Sequence, residues 1–106
     1  MKTLLLSFLV PVALLFAGST KPIDKERCSC KNIPLYGNVK VVQSLADFDV
    51  RVVESLADLD VKIVSSSPNG CGEWRFVESL PDFTIRLVES SEDFSIRFVE
   101  SMPGAR

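Results

Sequence analysis

From Val39 to Arg106 the chain repeats itself every eleven residues, and this repeat constrains the fold more than any other feature. The units are VKVVQSLADFD (39–49), VRVVESLADLD (50–60), VKIVSSSPNGCGE (61–73), WRFVESLPDFT (74–84), IRLVESSEDFS (85–95) and IRFVESMPGAR (96–106). Only the third departs from the period, carrying two extra residues. Units this short cannot bury an apolar face alone, so neighbouring units must share one core.

The columns of the repeat define its local structure. The first position holds Val39, Val50, Val61, Trp74, Ile85 and Ile96, and the third holds Val41, Val52, Ile63, Phe76, Leu87 and Phe98. A base always stands between them: Lys40, Arg51, Lys62, Arg75, Arg86 and Arg97. Alternation with period two among β-branched and aromatic residues predicts a strand, with both apolar columns on its buried face. The alternation extends back to Phe48, Leu59, Phe83 and Phe94, where the strands are expected to begin. A helix fits poorly, because apolar residues do not recur at three and four and Pro68, Pro81 and Pro103 interrupt the later units. The fourth position is always valine, on the same side as the base, so the second face is mixed: either it is partly covered, or valine is there for strand propensity alone. Serine always fills the sixth position, and Pro and Asp around it suit a bend. Each unit therefore reads as a strand of about six residues and a bend of four or five. On the residues alone the fold class is all-β, a closed β-meander barrel or a sandwich.

The whole chain has 106 residues, 46% hydrophobic and 25% charged, which suits a single folded domain. There is no histidine, so Ser-His-Asp and Cys-His catalysis and most zinc, haem and copper sites are excluded. The net charge of −2 offers no basic excess for nucleic acid.

The first residues read as an export signal. Lys2 precedes an apolar run of 14 residues, Leu4 to Ala17, and the small residues Ala17-Gly18-Ser19 follow. As a helix the run spans roughly 21 Å, short of the ~30 Å hydrocarbon core, and Pro11 interrupts it. Cleavage is expected after Ser19, and an uncleaved anchor is the alternative. The expected organisation is a signal peptide at 1–19, an N-terminal strap at 20–38 and the repeat domain at 39–106, with 28–38 belonging to that domain. The mature chain is then an exported monomer, periplasmic or extracellular, with no stable membrane span.

The segment CSCKNIPLYGNVKVV, the recurring V-basic-V-V-x-S-x-x-D-F pattern, CGEWRFVESLPDFTIRLVES and the closing Pro-Gly together resemble the septoil-knot domain family, small and often secreted bacterial proteins. The resemblance runs from about Cys28 to Gly104. It implies an all-β chain of about six strand-bend repeats wound as a torus-like knot with seven crossings. It brings no activity, ligand, cofactor or catalytic residue. Ser91-Glu92 and the extra Cys28 depart from its pattern.

An oxidising compartment favours a disulfide, and three cysteines leave one over. Cys28 and Cys30 are too close in sequence to bridge without strain, so the bond joins Cys71 to one of them. The segments that look like family landmarks favour Cys30 with Cys71, and Cys28 is the alternative partner. Such a loop of about 40 residues adds roughly 4 kcal/mol by chain-entropy reasoning. Metal binding through three thiolates and a redox role for the spare Cys28 are the lesser readings.

Other candidate sites weigh against simpler roles. The six bases form a stripe that either binds an anion or balances charge, with Glu54, Glu78, Glu89 and Glu100 as partners across strands. Asp47, Asp58, Asp82 and Asp93 either bind calcium or cap their own turns, and no segment has the density of an oxygen-ligand loop. Trp74 and Tyr36 suggest a binding patch, but Trp74 stands in a core column. No catalytic, cofactor or metal residue is singled out, because repeated units do not bring dissimilar groups together. The reading favoured is a non-enzymatic structural or interaction module of undefined partner. A ligand-binding module using the basic stripe is the alternative.

Overall fold

The structure, a computed structural model, describes residues 22–106. The expected signal peptide lies outside the described residues. No helix forms among the described residues, so none there is long and apolar enough to cross a membrane. The strands are β1 (Ser29–Cys30), β2 (Ile33–Pro34), β3 (Gly37–Val41), β4 (Phe48–Val52), β5 (Leu59–Ile63), β6 (Glu73–Phe76), β7 (Phe83–Leu87), β8 (Phe94–Phe98) and β9 (Gly104–Ala105). Four repeat strands begin at Phe48, Leu59, Phe83 and Phe94, where the alternation begins.

Strands β3 to β8 close into a six-stranded barrel in the order β6-β3-β7-β4-β8-β5, with β5 returning to β6. All six contacts are parallel, so the barrel is closed but is not a meander. The N-terminal hairpin β1–β2 and the contact of β9 with β5 are antiparallel. Parallel neighbours ordinarily need a crossover of a dozen or more residues. Here six-residue links suffice because the strands are strongly staggered. Around the ring the register climbs two residues in each of β7, β4, β8 and β6 and four in β5, a shear of 12 residues for six strands. Such stagger tilts the strands beyond the usual range of roughly 35–45°. The end of one strand is thereby level with the start of the next in sequence.

Each link crosses the strand it skips. Val41 and Phe48 both pair with Ile85, one from each side, so residues 42–47 pass over β7. In the same way 53–58 pass over β8, 77–82 over β3 and 88–93 over β4. Buried side chains fill the interior, so the links run outside, and they bury Asp60 and Ser95 on the outer wall. Strands β3–β5 form one turn of the winding and β6–β8 form a second threaded between them. The two extra residues of the third unit have their role here. They accompany a step of one strand instead of two, from β5 to adjacent β6, without which the second turn would meet the first.

A stagger of two residues per strand places equivalent positions of all six units at one level. The middle level is the first column, Val39, Val50, Val61, Trp74, Ile85 and Ile96, all buried. The level toward the strand starts holds Phe48, Leu59, Phe83 and Phe94, with Gly37 and Gly72 completing it. Phe48 lies edge-on to Phe83 and Phe94, with ring centroids 5.6 and 5.3 Å apart, and Phe83 meets Trp74 at 5.6 Å. The two glycines are neighbours across β6 and β3, and the gap there is occupied from outside the repeat. Leu35 is fully buried, and its carbonyl accepts the Trp74 indole N–H at 3.1 Å and the Gly72 amide at 3.2 Å. Ile23, Cys28 and Cys30 join the same core, so the N-terminal hairpin plugs this end.

The third column was expected in the core and is not there. Val41, Val52, Ile63, Phe76, Leu87 and Phe98 are 41–52% exposed. Two levels of six residues and the plug complete the core, and among the described residues no segment covers the opposite end. The fourth-position valines are half-buried, so of the two readings of the mixed face partial cover is the one observed. Each donates its amide to the first-position residue of a neighbouring strand, from Val42 to Ile85 at 2.9 Å through Val99 to Val61 at 2.8 Å.

The disulfide joins Cys28 to Cys71, not Cys30 to Cys71, with the Cα atoms 5.8 Å apart. Cys28 lies at φ 51, where the chain turns into β1, and Cys30 belongs to that strand and packs into the core as a free thiol. Burial pushes the Cys30 thiol above its ordinary range, overriding the opposing effect of Lys31.

Candidate functional site

The open end of the barrel is the feature that folding alone does not explain. Its floor is the six third-position side chains, brought level by the register although they are spread over 58 positions of sequence. Two residues further along each unit stand Gln43, Glu54, Ser65, Glu78, Glu89 and Glu100, all exposed. Among the described residues none of these four glutamates forms an ion pair. Glu89 lines one shallow cleft with Val52, Leu87, Val88 and Arg51, and Glu100 lines another with Ile63, Phe98, Val99 and Lys62. Carboxylates and apolar side chains thus share the same recesses.

The links leaving this end carry a further apolar series. Leu45, Leu56, Leu80 and Met102 are 87–99% exposed. All four, and Ser91 at the equivalent position, have φ between 53 and 60°. The left-handed region costs an ordinary residue about 1–2 kcal/mol, and glycine would avoid that cost. Large apolar side chains held in water on an unfavourable backbone gain nothing for the fold.

The six bases of the expected stripe lie one on each of the barrel strands β3 to β8. Four of the six are engaged by neighbouring side chains. Arg86 binds Asp49 through two nitrogens at 3.0 and 2.9 Å, and Arg97 binds Asp60 at 3.2 and 3.0 Å. Arg51 meets Glu92 at 3.0 Å, and Arg75 donates to Asn38 at 3.0 Å. Lys40 and Lys62 form no ion pair among the described residues. The expected partners Glu54, Glu78, Glu89 and Glu100 are not used, because interleaving sets arginines of the second turn against Asn38, Asp49 and Asp60 of the first. A signal for this was present. The residue closing each strand-bend unit is acidic in the first units, Asp49 and Asp60, and a hydroxyl in the later ones, Thr84 and Ser95. The hydrogen bond from Arg86 holds the Asp49 carboxyl below the usual carboxylate range and raises Arg86 in return. Glu92 is lowered by a backbone hydrogen bond first and by Arg51 second.

The bend aspartates cap strands, but not in their own turns. Asp47 accepts the Thr84 amide at 2.9 Å and Asp58 the Ser95 amide at 2.9 Å. Asp82 and Asp93 accept the amides of Asn38 and Asp49, each at 2.7 Å. These carboxylates are therefore occupied where the links cross. No cluster of three or more metal-ligating side chains occurs among the described residues. Trp74 is sealed in the core, whereas Tyr36 is partly exposed beside Pro34 and Pro68.

A search of the curated proteins found no match to this chain. Residues 32–106 match the family described as the 7(1) septoil knot domain, a span that contains the whole barrel, β9 and every crossing link. With its closed parallel barrel, interleaved turns and outward crossings, the chain belongs to the septoil knot domain family.

Proposed function

We propose that the chain is an exported, non-enzymatic interaction module, and that the open end of its barrel is the surface through which it works. The observation that carries this reading is the third column. Six side chains of core character stand half in water at one level, at the end opposite the plug. Exposed apolar area grouped in this way marks an interaction surface more often than scattered single residues do. The disulfide and the apolar N-terminal run support export, since such bonds persist in oxidising compartments. The dedication of the arginines and aspartates to crossings leaves few groups for chemistry.

The test is photo-crosslinking in the producing cell. A photoreactive residue at Leu87 is compared with one at Ser66, which is exposed in the interrupted unit. Discrete adducts from position 87 on exported protein, absent from position 66, are expected. No adduct at 87, or the same adducts at both positions, overturns the reading.

A further inference from the structure

Resting on the reading of the open end as a contact surface, we propose that this end binds a cationic amphipathic protein segment. The segment would set its apolar face on the third-position ring and its lysines or arginines against the glutamate collar. The ring supplies the apolar half of the site. Val41, Val52, Ile63, Phe76, Leu87 and Phe98 are each about half exposed at one level. The collar supplies the charge. Glu54, Glu78, Glu89 and Glu100 follow the ring by two residues, are exposed, and have no ion-pair partner among the described residues. Nearby positive charge does not cancel this. Arg51, beside Glu89, is engaged by Glu92, and Lys40, Lys62 and Arg75, the stripe cations without an ion pair among the described residues, are three against four carboxylates.

The same charges argue against two other occupants. A second copy docked end to end would bring one collar of carboxylates against another, a juxtaposition that costs affinity. An anionic bilayer would meet the same repulsion, since membrane attraction relies on lysine and arginine. A basic amphipathic segment satisfies both halves of the site, laying its apolar stripe on the ring while its charges reach the rim. The exposed Leu45, Leu56, Leu80 and Met102 on the links leaving this end extend the apolar area available to it.

The experiment uses the disulfide-intact exported chain. It is titrated with an amphipathic helical peptide of leucine and lysine, about five turns long, followed by fluorescence anisotropy and by NMR shifts of the methyl groups. A leucine and glutamate peptide of the same pattern, anionic and zwitterionic vesicles, and sedimentation of the chain alone complete the set. Saturable binding of the lysine peptide is expected, with shifts confined to the ring and links. The variant E54Q/E78Q/E89Q/E100Q should bind at least about tenfold more weakly at low salt, with its thermal midpoint little changed. Equal binding of both peptides, no loss in the quadruple variant, preference for vesicles, or self-association through this end overturns the proposal. If the peptide fails while crosslinks from Leu87 persist, the partner class is wrong and the interaction reading stands. If both fail, the interaction reading falls as well.

Discussion

Asp82 and Asn38 are 44 residues apart in sequence and exchange two backbone-anchored hydrogen bonds. The Asp82 carboxylate accepts the Asn38 amide at 2.7 Å, and the Asp82 amide donates to the Asn38 carbonyl at 2.7 Å. Asp93 and Asp49 repeat the arrangement at the same two distances. A link of the second turn thus locks the start of a strand in the first, at the point where one crosses the other.

Replacing Asp82 or Asp93 by alanine should therefore destabilise the domain by about 1.5–3 kcal/mol, the range for hydrogen bonds to charged groups. Gly37→Ala should act through the same contact, because an added Cβ at Gly37 would lie 2.5 Å from the Asp82 Oδ2, and Gly37 has φ 132. Chemical denaturation of the disulfide-intact variants checks both. Losses no larger than that of an exposed serine substitution, such as Ser44→Ala, would refute the locking role.

The exposed links predict the opposite sign. Leu56→Gly removes a side chain that is 89% exposed from a backbone at φ 58. The change should leave stability unaltered or raise it by up to about 1 kcal/mol, because relief of the left-handed conformation outweighs the added freedom of glycine in the unfolded chain. Thermal and denaturant midpoints measure it. A clear loss would show that the leucine supports the fold after all.

Acid should weaken the crossings in a defined window. Asp49 and Glu92 have folded pKa values below their ordinary ones, so their contribution is present above the unfolded values and is lost as pH falls through the folded values. The denaturation midpoint should be flat from neutral pH to about pH 5 and fall below about pH 4. Asp49→Asn should flatten that acid limb. An unchanged limb would remove the Asp49–Arg86 pair from the account.

Mass spectrometry of the unreduced protein should find a peptide linking Cys28 to Cys71 and a free Cys30. With the protein folded, Cys30 should react slowly with thiol reagents, because it is buried and burial raises its pKa. Denaturation should release one reactive thiol per chain. Cys71→Ser should cost about 4 kcal/mol, the chain-entropy value for a loop of this length, whereas Cys30→Ala should keep the bridge. A Cys30–Cys71 peptide from native protein would contradict the structure.

The strands were legible in the sequence down to the starts of β4, β5, β7 and β8, because period-two alternation is a local property. The family resemblance supplied the winding, which periodicity could not. A base in register with bases does not reveal that Arg86 pairs with Asp49, 37 residues away. The core was half legible. Ile85 and Leu87 are indistinguishable by alternation, and only the three-dimensional end of the barrel separates a buried residue from an exposed one. Of the two cysteine pairings left open, the favoured Cys30–Cys71 was wrong and the alternative Cys28–Cys71 is formed, because Cys28 and Cys30 differ only by the direction of a turn. The open end was hidden for the same reason as the core, since Leu87 has core character and a surface position.

Paired substitutions at Ile85 and Leu87 test the central claim most directly, as the two are adjacent on one face of β7 and 1% and 52% exposed. In equilibrium denaturation Ile85→Ala should lose about 2–5 kcal/mol and Leu87→Ala about 1 kcal/mol or less. Equal losses would place the third column in the core and remove the surface on which the functional account stands.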